Sequence, residues 1–288
     1  MKVSIYLCLL FALAPVESLA VDRDDPAILV YKTVAGVAVS AHVFRPPATF
    51  PGPRPAILLF HGGGWGIGSP QWVYGDAKKF AALGAVAIAV EYRLSSRETL
   101  LTPIDAMDDA CDAMRWTRQN ARTLSVDTKR VAAFGVSAGG HLAASLSFHC
   151  KDAAALPSAL LLISPAVALG DDAYFQGLLG KRAAARDHSP DEQIPVKSPS
   201  TIIFNGVLDN LTPIEGARRY CERIRQRGGA CELHAYENTG HLFTRKQPFS
   251  METYDPDPDV WKDVTTRGDA FLAAHGFLPG LPESRSVQ

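Results

Sequence analysis

A serine flanked by glycines, Gly-Val-Ser-Ala-Gly at positions 135–139, follows an apolar run at 131–134 and opens a helical pattern at 138–149. At such a strand–turn–helix junction the serine takes a strained backbone conformation, and side chains at the flanking glycines would collide there. The turn pushes the hydroxyl out above the sheet. The pattern therefore predicts Ser137 as a nucleophile.

A second glycine-rich stretch, His-Gly-Gly-Gly-Trp at positions 61–65, follows an apolar run at 56–60. Consecutive glycines let backbone N–H groups approach and stabilise a developing negative oxygen. The alternative is a phosphate-binding loop, but the Lys-Ser/Thr pair of a P-loop and the Rossmann glycine spacing are both missing. This loop is the rarer pattern of the two and supports the nucleophile assignment.

A nucleophilic serine needs a general base, which in turn needs an orienting group. His241 lies in an Asn-Thr-Gly-His loop just after a predicted strand at 232–236, at the carboxyl end of the strands where Ser137 also emerges. We therefore expect His241 to be the base. The other seven histidines lie in strands, in the glycine loop, in the nucleophile helix or away from this face: His42, His61, His141, His149, His188, His234 and His275.

Asp209 is the favoured orienting residue, because it follows a predicted strand at 201–204 through a short loop, again at a carboxyl end. The order Ser137, Asp209, His241 is the chain order that this catalytic arrangement requires. The alternative role for Asp209 is that of a helix N-terminal residue ahead of Pro213. Other aspartates either lie in a suspected lid or come after the histidine: Asp171, Asp172, Asp255, Asp257 and Asp259.

The elements that position these residues alternate between strand and helix, which predicts a mostly parallel, doubly wound α/β sheet. Strands are expected at 56–60, 86–90, 131–134, 160–163, 201–204 and 232–236, and an antiparallel edge pair at 28–31 and 37–44. Helices are expected at 76–83, 103–123, 138–149 and 213–227. The stretch 166–198 has no strand pattern and contains an apolar patch (Tyr174, Phe175, Leu178, Leu179), which favours a short lid.

The composition is that of a folded protein: 288 residues, of which 47% are hydrophobic and 20% charged. We expect a single domain over 21–288. The net charge is −1 and no run of Lys or Arg occurs, so no nucleic-acid partner is indicated. The oligomeric state is left open.

The first residues resemble a secretory signal peptide, with Lys2, an apolar stretch over 3–16 and small residues at Ser18 and Ala20 before Val21. A membrane anchor is the alternative, but a spanning helix needs about 20 apolar residues. Residues 1–20 are therefore expected to be cleaved. The mature protein is expected to be secreted or periplasmic, with no membrane attachment.

Four cysteines remain after cleavage: Cys111, Cys150, Cys221 and Cys231. In an exported chain they permit two disulfides in any of three pairings, with four buried thiols as the alternative. Cys221 and Cys231 are the better candidates, because they flank a glycine pair where a helix should turn back into a strand. Their spacing is not that of a zinc site, and we expect neither a metal nor a cofactor.

Together, the motifs at 61–64 and 135–140, the Asp209 loop and the Gly-His pair at 240–241 resemble the hormone-sensitive-lipase-like esterases of the α/β-hydrolase superfamily, over roughly 55–277. The resemblance implies a carboxylic ester hydrolase with an α/β-hydrolase fold. It also implies that the N–H groups of Gly63, Gly64 and Ala138 form the oxyanion hole. Trp65, beside the glycine loop, is then either an acyl-pocket wall or a core residue.

The chain departs from that family in having Val136 where an acidic residue is frequent, and in the short span between positions 21 and 56, which leaves too little for the usual N-terminal cap. These features are similar to compact acetyl esterases and to acetylxylan and feruloyl esterases. A short-chain ester, small or linked to a plant polysaccharide, is therefore the expected substrate. The alternatives are a serine peptidase of the prolyl-oligopeptidase type and a non-catalytic ligand-binding member of the fold.

Overall fold

The computed structural model describes residues 25–281, and the predicted signal peptide lies outside this range. Its centre is a single sheet of eight strands: β1 (Ala27–Val34), β2 (Val37–Phe44), β3 (Arg54–Phe60), β4 (Val86–Val90), β5 (Val126–Val136), β6 (Ala159–Ile163), β7 (Ser200–Gly206) and β8 (Cys231–Tyr236). The strand order is β1-β2-β4-β3-β5-β6-β7-β8. Strands β1 and β2 pair antiparallel at one edge, β2 is antiparallel to β4, and every later pair is parallel. This confirms the predicted mostly parallel α/β sheet.

The described chain has seven α-helices, of which the first six lie between strands and the last follows β8: α1 (Tyr74–Ala82), α2 (Pro103–Gln119), α3 (Ala121–Leu124), α4 (Ala138–Ser145), α5 (Ala173–Leu179), α6 (Ile214–Gln226) and α7 (Pro258–Ala274). Two predicted helices are too long. The helix expected over 103–123 breaks at Asn120, whose side-chain amide donates to the carbonyl of Trp116 and ends α2. The nucleophile helix ends at Ser145, whose hydroxyl donates to the carbonyl of Leu142.

The central strands are apolar on both faces because helices cover both faces of the sheet. Helices α2, α4 and α6 pack against one face, where Leu58 is buried. Helices α1 and α7 cover the other face, where the neighbouring residue Ile57 is buried. The carboxyl ends of β3, β5, β7 and β8 are thereby held at one rim of a rigid layer.

Two disulfides join elements on the α2 face of the sheet. Cys111 of α2 is bonded to Cys150, in the segment after α4, with Cα atoms 5.7 Å apart. Cys221 of α6 is bonded to Cys231 at the start of β8, with Cα atoms 5.4 Å apart. The structure therefore selects one of the three possible pairings, and it includes the favoured pair. Within residues 25–281, no helix has the length and apolar character needed to span a bilayer.

Candidate active site

Ser137 occupies the turn between β5 and α4 with a left-handed backbone, φ 54° and ψ −117°. The glycines around it are required by close backbone packing. A Cβ atom on Gly135 would lie 2.2 Å from the carbonyl oxygen of Gly139, and one on Gly139 would lie 2.1 Å from that of Phe60. The N–H of Ser137 donates to the carbonyl of Ile163 at 2.9 Å, which ties the turn to the end of β6.

The structure brings the three predicted triad residues together from three loops. The Oγ of Ser137 lies 3.0 Å from Nε2 of His241. The Nδ1 atom of His241 lies 2.9 Å from Oδ2 of Asp209. His241 and Asp209 are both buried. This is the geometry in which an imidazole takes a proton from a serine while a carboxylate holds its other nitrogen.

Both carboxylate oxygens of Asp209 accept further hydrogen bonds. The N–H groups of Leu211 and Thr212 donate to Oδ1 at 3.0 and 2.8 Å, which is the local turn typical of aspartate. The Thr212 hydroxyl lies 2.8 Å from Oδ2. Sequence reasoning did not identify Thr212, although a hydroxyl three residues after an aspartate is a recognisable turn pattern.

Ser164, directly after β6, links the loops that carry the acid and the base. Its carbonyl lies 3.0 Å from the Thr212 hydroxyl, in the Asp209 loop. Its Oγ accepts the N–H of Leu242, next to His241, at 3.1 Å. Ser164 is buried and has φ 42°. It was not identified from the sequence, where nothing distinguishes it from other serines at strand ends.

The glycine loop forms a tight turn beside Ser137, with φ of +112° at Gly63 and +57° at Gly64. The N–H groups of Gly66 and Ile67 both donate to the carbonyl of Gly63 at 3.1 Å. Within residues 25–281, the N–H groups of Gly63 and Gly64 have no hydrogen-bond acceptor in the chain. Both residues line the same cavity as Ser137 and Ala138, so their donors are available to a bound oxygen.

Buried side chains pack beneath the glycine loop and support it. The Tyr92 hydroxyl donates to the carbonyl of His61 at 2.8 Å, and the two rings stack with centroids 4.3 Å apart. Burial lowers the pKa of His61 to about 4, so its ring is neutral at neutral pH. The residues on either side of Tyr92 are also structural, since Glu91 accepts the N–H of Ser40 and Arg93 binds Asp109.

Trp65 combines the two roles that the sequence left open. Its indole is buried, donates to Nδ1 of His141 at 3.1 Å and packs on Phe175 at 4.8 Å between centroids. Trp65 also contributes to the lining of the cavity over Ser137. Burial lowers the pKa of His141 to about 3, which keeps this imidazole neutral as the acceptor of the indole N–H.

A cavity of about 570 Å³ lies over Ser137, and most of its wall was not identified from the sequence. The unpredicted wall comes from the segment after the glycine loop, from the loops that carry Asp209 and His241, and from 249–261. The ring centroid of Phe249 lies 5.1 Å from that of His241. The unpredicted apolar and aromatic lining residues are Ile67, Trp72, Val73, Leu211, Leu242, Phe249, Met251, Tyr254 and Trp261.

The predicted lid segment lines this cavity with Ala166, Leu169, Asp172 and Tyr174, but only part of its apolar patch reaches the cavity. Its residue Tyr174 lines the cavity and lies with its hydroxyl 3.1 Å from the carbonyl of Gly64. Phe175 and Leu179 are instead buried in the core. In the part of the chain that the structure describes, no group of three or more His, Cys, Asp or Glu side chains is arranged to hold a metal ion.

Comparison with known proteins agrees with this geometry. A family model described as the α/β-hydrolase fold matches residues 57–192. Esterase LipI of Mycobacterium tuberculosis is 30% identical over 230 residues, which cover 70% of each chain. The chain belongs to the α/β-hydrolase fold family. The predicted resemblance to hormone-sensitive-lipase-like esterases is thereby confirmed.

Solved structures extend the likeness over nearly the whole domain. The apo form of Thermogutta terrifontis esterase 2 is 31% identical with a TM-score of 0.78, covering 91% of this chain and 98% of that one. The same esterase with butyrate bound also has a TM-score of 0.78 at 30% identity.

The chain spans less than half the length of several curated relatives. It covers 38% of an AB hydrolase superfamily protein of Schizosaccharomyces pombe and 45% of carboxylesterase NlhH of Mycobacterium tuberculosis. Several of the relatives and structural neighbours that the chain resembles are named as esterases.

Proposed function

We propose that the protein is a secreted serine carboxylesterase that hydrolyses short-chain acyl esters. One observation carries the proposal: the continuous contact from Ser137 through His241 to Asp209 opens into a cavity lined by the glycine loop. A nucleophile, its base and free backbone donors in one cavity are the components of acyl transfer to water. Export is supported by the signal-like sequence at 1–20 and by the two disulfides.

In the proposed reaction, His241 accepts the proton of Ser137 as Oγ attacks the ester carbonyl and a tetrahedral intermediate forms. The C–O bond to the alcohol then breaks, and the alcohol leaves with the proton from His241. Water repeats the sequence on the acyl-enzyme, releases the acid and restores Ser137. Asp209 holds the imidazole in the tautomer that presents a free Nε2 to the serine.

The N–H groups of Gly63, Gly64 and Ala138 are the proposed oxyanion donors. Gly63 and Gly64 have no acceptor within the described chain, and Ala138 begins α4, where N–H groups are unpaired. One such donor lowers the activation barrier by about 3–4 kcal/mol in comparable sites. The loop therefore favours reactions in which a carbonyl oxygen becomes negative.

The size and lining of the cavity favour short acyl groups. Its volume of about 570 Å³ suits a small ester and is lined largely by apolar and aromatic groups. An ethyl acetate hydrolase of Pseudomonas putida is 38% identical over 140 residues, and a structural neighbour was solved with butyrate bound. Acetyl or feruloyl groups on plant polysaccharides are a further proposed substrate class.

The decisive experiment replaces the nucleophile. Ser137→Ala is expected to lower kcat for p-nitrophenyl acetate by about 10⁴-fold or more, with an unchanged circular dichroism spectrum, because no other group takes over the attack. Ser250→Ala is a matched control on the wall segment and is expected to retain activity. Hydrolysis by Ser137→Ala at the wild-type rate would refute the assignment.

A substrate panel separates the competing activities and defines the acyl length. We expect p-nitrophenyl acetate and butyrate to be cleaved far faster than palmitate or a prolyl peptide anilide. Acetylated xylan and methyl ferulate test the polysaccharide class directly. A preference for palmitate contradicts the short-chain proposal, and cleavage of the anilide favours a peptidase. Failure of a fluorophosphonate to label Ser137 favours a non-catalytic binding protein.

A further inference from the structure

Asp76 is a lining residue of the active-site cavity to which the proposed chemistry assigns no role. It lies in the first turn of α1, one helical turn after Trp72. Within residues 25–281, no group of the chain donates a hydrogen bond to its carboxylate. Lys79, one turn further along the helix, is paired instead with Asp269 at 2.7 Å.

The environment of Asp76 is costly for a negative charge. Burial raises the pKa of Asp76, the neighbouring carboxylate of Asp269 raises it further, and Lys79 only partly opposes this. A partly buried carboxylate without a donor in the described chain gains more from a bound cation than a fully exposed one does. The position of Asp76 at the cavity surface makes that gain available to a ligand.

Aromatic rings form much of the same cavity. Trp72, Tyr254 and Trp261 line it, and Phe249 lies beside both His241 and Tyr254, at 5.1 and 6.0 Å between centroids. The faces of aromatic rings attract cations, and several rings around one site are the usual means of binding a quaternary ammonium group. The rings and Asp76 therefore favour the same kind of ligand.

The active-site cavity and the cavity next to it differ in the charges of their lining residues. Among the described residues, the carboxylates lining the active-site cavity are Asp76 and Asp172, and no lysine or arginine lines it. An adjoining cavity of about 720 Å³, which shares Tyr174, is lined instead by three cationic side chains: Arg97, Lys181 and Arg182. A cationic group is therefore attracted to the serine side of Tyr174 and repelled from the other side.

We propose that Asp76 and the surrounding aromatic rings form a subsite for a cationic group, so that the enzyme prefers esters of amino or quaternary-ammonium alcohols to neutral esters of the same shape. The cation belongs on the alcohol because the leaving oxygen takes its proton from His241, whose ring is flanked by Phe249. This inference rests on the proposed esterase function and names a substrate class for it.

The sharpest test uses two esters that differ in one atom. Acetylcholine and 3,3-dimethylbutyl acetate have the same shape, but one carries a quaternary nitrogen where the other has carbon. We expect kcat/KM to be at least tenfold higher for acetylcholine. Asp76→Asn is expected to lower that ratio at least fivefold. Glu252→Gln removes the same charge from an exposed residue near the cavity and should leave the ratio unchanged.

A binding measurement makes the result independent of turnover. In the Ser137→Ala background, calorimetry should show choline binding at least fivefold more tightly than 3,3-dimethylbutan-1-ol, and Asp76→Asn should remove the difference. Equal kcat/KM values and equal affinities would overturn the subsite, as would equal losses in Asp76→Asn and Glu252→Gln. Absence of p-nitrophenyl acetate hydrolysis would refute the esterase itself, while the choline measurement would still decide the subsite.

Discussion

The floor and the walls of the active-site cavity are built in different ways. The floor, meaning the triad and the glycine loop, comes from the ends of β3, β5, β7 and β8 and is joined by backbone hydrogen bonds. The walls, meaning the lining residues at 67–76, 172–174, 210–211 and 249–261, come from connecting loops and the first turns of helices. The floor is therefore fixed by the register of one sheet, whereas the walls can change without disturbing it. The residues of the floor carry out the reaction, and the residues of the walls determine which substrate binds.

The largest expected effect within the floor comes from the acid. Asp209→Asn keeps the size of the side chain but favours the wrong tautomer of His241, so kcat for p-nitrophenyl acetate should fall by about 10⁴-fold. Steady-state kinetics beside an unfolding curve check this, and the unfolding midpoint should change little. A loss of less than tenfold would show that Asp209 does not orient the base.

Two glycine-to-alanine substitutions, one in the floor and one in the walls, are compared by their effect on the free energy of unfolding. Gly139→Ala places a Cβ atom against the carbonyl of Phe60 in the floor, where neither backbone can move, and should cost about 3 kcal/mol or more of the free energy of unfolding.

Gly75→Ala is the matched substitution in the wall segment 67–76, because Gly75 lies in α1 with open space around its Cα. Alanine is the better helix former, so a gain of about 0.5–1 kcal/mol is expected. Urea unfolding measures both variants. Similar changes in the two would contradict the distinction between floor and walls.

The smallest effect is expected in the walls. Phe249→Ala removes a ring beside His241 and should lower kcat/KM for p-nitrophenyl butyrate about tenfold, because water then reaches the imidazole and apolar contact is lost. Met251→Ala, at a mostly exposed position in the same wall, should cost less than threefold. A loss for Phe249→Ala as large as that for Asp209→Asn would place this ring in the floor.

The floor could be predicted from the sequence because its requirements are local. Crowded backbone demands glycine around Ser137, and the strands that hold the triad are apolar on both faces, so both leave patterns in the sequence. The α/β class, the strands and the antiparallel edge pair were predicted on these grounds, and the structure confirms them. The helix ends at Asn120 and Ser145 were missed; a side-chain hydrogen bond to a carbonyl of the last turn accompanies each of them, and the apolar pattern does not mark it.

The walls could not be predicted because nothing local determines them. Trp72, Phe249 and Trp261 lie far apart in the sequence, and only the packing of α1 and α7 on one face of the sheet brings them to one cavity. The predicted lid had an apolar patch, yet most of that patch is buried in the core rather than turned to the site. An apolar residue in a loop has the same appearance in a sequence whether it contacts the core or a ligand.

Ser164 links the loop that carries Asp209 to the loop that carries His241. It is hydrogen-bonded on one side to Thr212, beside the acid, and on the other to Leu242, beside the base. A displacement of either loop is therefore expected to be transmitted to the other through Ser164, so that Asp209 and His241 move together. Thermal motion of this rim should preserve the distance between acid and base better than the distance from either of them to the wall at 249–254.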